Sequence, residues 1–310
     1  DVRIMKTLDF EWKILEWFDR FESDFLNRCN QYISLILGSI GLIVILMIVY
    51  WTLNKEKGLI IAYNLFLAML VNNLLKGLIM RKRPFENAGY EHLRKLDVAK
   101  DGATGSSFPS GHAMNSASLY TGLCCNFKSK RYLWIQIVSI IAMILVAITR
   151  VYLGVHFPTD VVCGLTFGVV IALIFTFIQA ELGSKKYFLY IFTIFAFMPC
   201  LFFKAYERDF YKSYGLLIGF VLATILEERF VKFDTNVKPI QKVIRVVIGM
   251  LVIGCEYLIY EIVPTAIHNN YYFAMGMHFV ISFSGFFLVP LIFKMLEGRK
   301  KIIVNNIFNF

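Results

Sequence analysis

The chain has 310 residues, of which 58% are hydrophobic, 16% aromatic and 17% charged. Soluble domains average about 45–50% apolar and about 25% charged residues, so this composition excludes an ordinary soluble globule and predicts a membrane protein. The formal net charge is +10. The basic residues stand in short stretches between apolar runs, which is typical of membrane topology signals and argues against a nucleic-acid partner.

The first predicted element is an amphipathic helix over residues 7–28. Acidic and basic residues alternate with a hydrophobic face that recurs at helical spacing. That face consists of Leu8, Trp12, Leu15, Phe18, Phe21 and Phe25. Because no soluble domain is left for it to pack on, we expect the helix to lie flat on the membrane surface, with its aromatic rings in the interface.

About nine apolar segments follow, on the criterion that a membrane-spanning helix needs about 20 apolar residues. The expected fold is therefore all-α, a polytopic membrane helical bundle. The predicted spans are 32–52, 59–79, 112–126, 132–149, 160–180, 187–205, 213–228, 243–263 and 271–296. The loops on one side of these spans hold more basic residues, which assigns that side to the cytoplasm and places the loops 80–111 and 150–159 outside.

A first polar cluster lies at the end of the second predicted span. Lys76 and Arg83 are about two helical turns apart, so both side chains point the same way if the helix continues. Pro84 disfavours helix at the residue before it and marks the end of the span. Two interpretations stay open: a pair of cations for an anionic ligand, or the basic residues that ordinarily flank a membrane helix.

The second cluster is Pro109-Ser110-Gly111-His112, where a loop enters the third span. Free N–H groups at the start of a helix favour an anion, and glycine lets a ligand approach the backbone. Ser110 either caps the helix or donates to a ligand, and both roles stay open. His112 suits a general acid near neutral pH.

The third cluster is Arg150, His156 and Asp160. A carboxylate four residues after a histidine can accept its ring N–H, which fixes the tautomer and leaves the other nitrogen free as a nucleophile. Asp160 equally suits a helix start, so a capping aspartate beside an unrelated loop histidine is the alternative. Taken together, the three clusters supply what metal-free phosphoryl transfer needs: several cations, a helix start and two histidines.

Three motifs of this chain, in order, resemble the signature motifs of the type-2 phosphatidic acid phosphatase superfamily: Lys76-x6-Arg83-Pro84, Pro109-Ser110-Gly111-His112 and Arg150-x5-His156-x3-Asp160. That superfamily includes lipid phosphate phosphatases, undecaprenyl-pyrophosphate phosphatases, glucose-6-phosphatase and the soluble vanadium haloperoxidases. One departure is Thr149, where the family usually has serine. Threonine keeps the hydroxyl but changes its donor geometry.

The resemblance implies a role for each motif residue. His156 attacks phosphorus and forms a phosphohistidine, Asp160 orients it, and His112 protonates the leaving oxygen and then activates water. The phosphoryl oxygens are held by Lys76, Arg83, Ser110, Gly111 and Arg150. No metal or other cofactor is implied. The implied domains are an interfacial helix (1–30), a catalytic six-span core (31–206) and three additional C-terminal spans (207–310).

The resulting prediction is a metal-independent integral membrane phosphatase for a lipid phosphate monoester or isoprenyl (pyro)phosphate. We expect it in a bacterial-type plasma membrane, with the active site on the extracytoplasmic side and substrate arriving from among the membrane lipids. Two alternatives stay open. One is a phosphatase for a water-soluble phosphomonoester such as a sugar phosphate, and the other is a non-catalytic membrane transporter or scaffold.

Four further polar residues lie near the first cluster. Asn72 and Asn73 are expected to form helix–helix hydrogen bonds rather than to support the site. Arg81 and Lys82 are expected to be solvated flanks of the span, with attraction to anionic headgroups as the alternative.

Overall fold

The computed structural model describes residues 7–38, 40–93, 105–202 and 208–297. Every regular element in these ranges is helical, which confirms the all-α prediction. In chain order the α-helices are α1 (Asp9–Asp19), α2 (Asp24–Gly38), α3 (Ile40–Ile48), α4 (Lys55–Ile79), α5 (Gly111–Asn126), α6 (Leu133–Tyr152), α7 (Pro158–Leu182), α8 (Lys186–Phe197), α9 (Arg208–Leu226), α10 (Pro239–Ile262), α11 (Thr265–His268) and α12 (Tyr271–Phe283). Short π-helical segments follow three of these helices: Val49–Leu53, Glu227–Val231 and Ser284–Leu288.

Six helical stretches of the described chain are long and apolar enough to cross a membrane, so the protein is an integral membrane protein. They are Asp24–Leu53, Lys55–Glu86, Lys130–Tyr152, Pro158–Phe202, Pro239–Ile262 and Tyr271–Glu297. Two predicted spans, the third (α5) and the seventh (α9), are not among these stretches. Pro158–Phe202 takes in both the fifth and most of the sixth predicted span. The predicted total of nine therefore stays a prediction.

The chain divides into two compact units that interleave along the sequence. The first unit comprises Asp1–Leu46, Ile60–Gly183 and Met198–Phe210, and the second comprises Met47–Leu59, Ser184–Phe197 and Tyr211–Phe310, each as far as it is described. The predicted domains are consecutive instead, and their boundary at 206/207 lies outside the described residues. All three polar clusters belong to the first unit.

Helix α5 is the central helix of the first unit. Its side chains are buried at Ala113, Met114 and every position from Ser116 to Leu123. Helices α2, α6 and α7 pack around it. Other helices of the first unit therefore cover α5, a helix of 16 residues.

Two glycines of α7 bring its backbone against α5. A Cβ at Gly164 would lie 2.7 Å from the carbonyl oxygen of Ser110, and one at Gly168 would lie 2.2 Å from that of Met114. Small residues four apart let two membrane helices approach closely. This contact fixes α7, and with it Asp160, relative to the loop that begins α5.

Gly168→Ala is expected to destabilise the first unit by about 1–3 kcal/mol, because the added methyl overpacks a contact that cannot yield without moving backbone. The measurement is the midpoint of thermal unfolding in detergent micelles. Gly254→Ala in α10 is the matched control, since no neighbouring atom of the described residues lies within 4 Å of its Cβ position. Equal midpoints for the two variants would contradict the close α5–α7 contact.

The predicted N-terminal amphipathic helix is divided into α1 and the start of α2. Leu15 is 2% exposed, and the Trp12 ring stacks on Tyr90 with centroids 3.9 Å apart and meets the edge of Phe157 at 5.0 Å. The expectation that the aromatic rings lie in the membrane interface is wrong for Trp12, because Tyr90 and Phe157 of the first unit offer its ring an apolar surface. Three other residues of the hydrophobic face stay exposed: Leu8, Phe21 and Phe25.

The second unit is held by buried polar contacts between helices. Tyr50 Oη and Trp51 Nε1, both in the π-helical segment after α3, donate to the carbonyls of Phe286 (3.1 Å) and Gly285 (2.9 Å). Arg245 in α10 binds Glu297 through two N–H donors, at 3.0 and 2.9 Å. Such contacts satisfy polar groups that water cannot reach inside a membrane.

Candidate active site

His156 lies in the short loop between α6 and α7. Gly154, two residues before it, has φ +67°, and a Cβ there would lie 2.0 Å from the carbonyl oxygen of Leu93. Only glycine fits such a turn without strain. Phe157 is the N-cap residue of α7 and Pro158 its first residue, where proline is favoured. The tight turn and the helix start together hold His156, which is 2% exposed.

Asp160 caps α7 and also faces His156. Its Oδ2 accepts from the backbone N–H of Phe157 (2.9 Å) and from Ser107 Oγ (2.5 Å). Oδ2 lies 3.7 Å from His156 Nδ1, too far for the predicted direct hydrogen bond. Ser107 Oγ lies 3.5 Å from the same nitrogen. The capping and orienting interpretations are therefore compatible, and Ser107 stands between the two groups.

Arg83 approaches His156 on the ring's other nitrogen. Its Nη1 lies 3.4 Å from His156 Nε2 and donates to the Val155 carbonyl at 2.9 Å, while Nε donates to the Gly105 carbonyl at 3.0 Å. Backbone carbonyls of two loops, one before α5 and one between α6 and α7, thus fix the guanidinium group. A cation in this position lies within reach of the negative oxygens that a phosphoryl group on Nε2 would carry.

Lys76 and Arg83 do not share one continuous helix. Helix α4 ends at Ile79, Met80 has φ +46° and Arg83 is extended with ψ 158°. The proline after Arg83 thus has the predicted effect on its backbone. Lys76 lies half-buried in the last turn of α4. The continuous helix that would place both side chains on one face is therefore absent. The positive charges of Lys76 and Arg83 nevertheless both lower the pKa of His156.

Arg150 and His112 complete the cluster. Arg150, 3% exposed, donates through Nη1 to Ser34 Oγ of α2. Gly38 of α2 leaves room for the His112 ring, because a Cβ there would lie 3.3 Å from His112 Cδ2. The charge of Arg150 acts on both histidines. The structure therefore brings the cations and histidines of all three motifs close enough for their charges to interact.

Ser110 is the N-cap residue of α5, but its side chain makes no cap hydrogen bond. Its Oγ is buried and has no hydrogen-bond partner within the described parts of the chain. The backbone N–H of Ser110 donates to the Asp160 carbonyl at 3.0 Å. Simple capping is therefore not what this hydroxyl does, and a buried hydroxyl of this kind is available to a ligand.

Asn72 supports the loop before α5. Its Nδ2 donates to the Pro109 carbonyl at 3.1 Å, and its Oδ1 lies 3.0 Å from the Cβ position of Gly111. The expected helix–helix hydrogen bond is present for Asn72 beside this loop contact, since Nδ2 also donates to Met114 Sδ of α5 at 3.6 Å. It is present for Asn73 too, whose Nδ2 donates to the Asp209 carbonyl in α9 at 3.0 Å.

Arg81 is not the solvated flank that was expected. It is 2% exposed, and its guanidinium binds Asp160 Oδ1 at 2.5 Å and Glu11 Oε2 at 2.6 Å. The prediction fails because α1 and α7 supply two buried carboxylates. Lys82 beside it is exposed, as expected.

Sequence reasoning missed Glu11 and Ser107 altogether. The signal for Glu11 was available, since it lies between Leu8 and Leu15 on the hydrophobic face of the N-terminal helix. For Ser107 there was no local signal. Thr149, the departure from the family pattern, uses its Oγ1 within α6, where it donates to the Val146 carbonyl at 2.7 Å.

The described residues contain no group of three or more His, Cys, Asp or Glu side chains arranged to hold a metal ion. What the site does offer an anion is the guanidinium groups of Arg83 and Arg150, the amine of Lys76 and the hydroxyl of Ser110. Metal independence of the chemistry stays a prediction.

Comparison with protein families identifies both parts of the chain. Residues 57–183 match the PAP2 superfamily, and residues 211–301 match the PAP2 superfamily phosphatase, transmembrane extension. The chain belongs to the PAP2 superfamily. All motif residues named above fall within the first match, which confirms the resemblance that their spacing indicated.

Three curated proteins illustrate the relationship. Phosphatidylglycerophosphatase B of Bacillus subtilis (strain 168) is 37% identical over 108 residues, covering 33% of this chain and 48% of that protein. Glucose-6-phosphatase catalytic subunit 1 of Canis lupus familiaris is 25% identical over 191 residues, covering 53% and 52%. The putative undecaprenyl-diphosphatase YbjG of Escherichia coli (strain K12) is 31% identical over 140 residues, covering 44% and 65%. The chain thus spans about half to two thirds of the length of these relatives.

The electrostatics of the PAP2 site favour a neutral His156. Burial lowers the pKa of His156 well below its usual range, and the positive charges of Arg83, Arg150 and Lys76 lower it further. A neutral imidazole is the form that can act as a nucleophile. The unfolded chain binds more protons at this position below about pH 6.5, so this group makes stability fall as the pH falls below that value.

The acid limb of kcat/KM for phosphate release is expected below pH 6.5, the usual pKa of histidine. If His156 is the predicted nucleophile, its protonation would remove the lone pair needed for attack, and its lowered pKa would move this loss to more acidic solution. Two substrates whose phosphates differ in pKa separate the enzyme's limb from the substrate's, since only the enzyme's limb stays in place. A substrate-independent limb above pH 6.5 would contradict this account.

Proposed function

We propose that this protein is a membrane phosphatase that hydrolyses the phosphate ester of a lipid through a phosphohistidine on His156. The observation that carries the proposal is the pair of contacts on its ring. Arg83 Nη1 lies 3.4 Å from Nε2, while Ser107 and Asp160 lie on the Nδ1 side. Nε2 thus faces the cation that would bind the phosphoryl oxygens, and Nδ1 is oriented from behind.

The proposed reaction has two displacements. In the first, His156 Nε2 attacks phosphorus, the bond to the leaving oxygen breaks, and His112 gives that oxygen a proton. In the second, His112 takes a proton from water, the water oxygen attacks phosphorus, and the P–N bond breaks to release phosphate. Throughout, the phosphoryl oxygens are held by Lys76, Arg83, Arg150, Ser110 Oγ and the Gly111 N–H, which stabilise the charge spread over them in the transition state.

A lipid is the favoured substrate because of where the site lies in the sequence of spans. The motif residues stand at the ends of membrane helices, where a headgroup can reach them while its tails stay in the bilayer. Two of the relatives are named for lipid substrates, phosphatidylglycerophosphate and undecaprenyl diphosphate. The distribution of basic residues over the loops supports an extracytoplasmic position of the site.

A water-soluble sugar phosphate is the second candidate. It is favoured by glucose-6-phosphatase catalytic subunit 1, which matches more of this chain (53%) than the two lipid phosphatases do. The chemistry would be the same, since both candidates present a phosphate to the same residues. Competition decides between them: a lipid enzyme should prefer long-chain phosphates over glucose 6-phosphate at equal concentration.

The purified protein is expected to release phosphate in excess EDTA from at least one member of a panel of phosphatidylglycerophosphate, undecaprenyl diphosphate and glucose 6-phosphate. His156→Ala should release none. His92→Ala should match wild type, since His92 is exposed and belongs to none of the three motifs. Activity that EDTA abolishes and Mg²⁺ restores would overturn metal independence. No release from the whole panel would favour a transporter or scaffold.

A further inference from the structure

A buried chain of ionic contacts leads from helix α1 to His156. Arg81 Nη2 binds Glu11 Oε2 at 2.6 Å, and Arg81 Nη1 binds Asp160 Oδ1 at 2.5 Å. The other oxygen of Asp160 accepts from Ser107 Oγ, which lies 3.5 Å from His156 Nδ1. Both carboxylates are completely buried. Glu11 is therefore connected to the histidine through Arg81 and Asp160.

Side contacts hold this chain in one geometry. Thr159 Oγ1 accepts from Arg81 Nη1 at 2.8 Å and donates to Glu11 Oε1. The Arg81 guanidinium carbon lies 4.1 Å from the centroid of the Phe157 ring. Hydrogen bonds on both oxygens of Glu11 and stacking on Arg81 leave neither side chain another rotamer without loss of a buried partner.

The charges of Glu11, Arg81 and Asp160 do not cancel. The two carboxylates carry two negative charges and Arg81 carries one positive charge, so these three residues together present a net negative charge behind the Nδ1 side of His156. Arg81 alone would neutralise Asp160. Among the described residues, the groups whose charges act on His156 include the cations Arg83 and Lys76 from the α4 end, Arg150 from α6 and the second histidine, His112 of α5.

We propose that Glu11 is a positioning residue of the PAP2 site, which binds Arg81 so that Asp160 is held in place and a net negative charge lies behind His156. The expected loss of kcat/KM rests on the proposed function, whereas the expected shift in the pH midpoint of His156 does not. An imidazole that becomes phosphorylated gains positive character, and a negative group behind it stabilises that state. Through Glu11, helix α1 then supplies a positioning residue to the site rather than a membrane attachment alone.

The test compares Glu11→Gln, Arg81→Gln and the double variant, with Glu16→Gln on the exposed face of α1 as the matched control. The first readout is the pH midpoint of His156 protonation, measured by 15N NMR of histidine-labelled protein in proteoliposomes and assigned with His156→Ala. The second is kcat/KM. We expect Glu11→Gln to lower kcat/KM by about tenfold, the low end of the effect known for hydrogen-bond partners behind metal-ligating histidines.

Glu11→Gln should move the His156 midpoint to lower pH, because a negative charge is lost. Arg81→Gln should move it to higher pH, and the double variant, which restores the net charge, should return it to the wild-type value. An unchanged midpoint in Glu11→Gln overturns the proposal. If that variant does not fold, a double variant whose midpoint differs from wild type overturns it instead.

The two readouts separate this inference from the proposed function. Opposite midpoint shifts in a protein that hydrolyses no phosphate ester would sink the phosphatase proposal and leave the positioning of His156 by Glu11 intact. Normal hydrolysis with identical midpoints in all variants would do the reverse. A tenfold loss of kcat/KM without any midpoint shift would mean that Glu11 serves only to hold α1 in place.

Discussion

Replacement of His156 by alanine is expected to abolish phosphate release, with kcat/KM falling by about 10⁴-fold or more. The reason is chemical: without the imidazole no nitrogen accepts the phosphoryl group, and the surrounding cations can only bind the substrate. Binding should survive, because Arg83, Arg150 and Lys76 remain. The measurement is steady-state phosphate release, with binding of inorganic phosphate as the accompanying readout.

His92→Ala is the control for this substitution. His92 is an exposed histidine in the turn Glu91–Leu93, so its removal should change neither rate nor binding. A His156→Ala variant that keeps a tenth or more of wild-type kcat/KM would mean that another group attacks phosphorus.

Arg83→Ala is expected to lower kcat/KM by about 10²- to 10³-fold, the usual cost of removing one donor that stabilises transition-state charge. Arg83 has a second task, since it fixes the backbone at Gly105 and Val155. Arg83→Lys should rescue little of the loss, because an ammonium cannot bind two carbonyls and a phosphoryl oxygen with the geometry of a guanidinium fork.

Arg131→Ala is the matched control for Arg83. Arg131 is an exposed arginine in the turn Lys130–Tyr132, and its loss removes the same charge from the protein. Wild-type activity in Arg83→Lys would show that charge alone matters at this position, and it would contradict the argument from the fork.

Much of the site could be predicted because its residues stand where local rules act. Pro84 ends the helix before Arg83, Pro158 and Asp160 begin α7, and Gly154 makes the turn that leaves His156 between two helices. The order and spacing of the motifs then identified the family. Each of these signals involves residues within a few positions of one another, which is the range that sequence periodicity and capping rules cover.

The contacts that could not be predicted join residues far apart in the chain. Arg81 reads locally as a basic flank, and only the arrival of Glu11 and Asp160 from other helices makes it a buried ion-pair partner. Asn72 likewise reads as a polar residue within a span, and only the fold places the Pro109 carbonyl beside it. Glu11 is the instructive case, since an acid on a hydrophobic face indicates a buried partner without naming it.

The most direct test of the central claim is to trap the phosphorylated protein. His112→Ala lacks the group that activates water, and an aryl phosphate has a leaving group that needs no proton, so the intermediate should accumulate in this combination. After an alkaline quench, which preserves phosphohistidine, peptide mass spectrometry should find the phosphoryl group on His156. A phosphoryl group on any other side chain, or turnover of the aryl phosphate by His112→Ala with no labelled protein, would contradict the account.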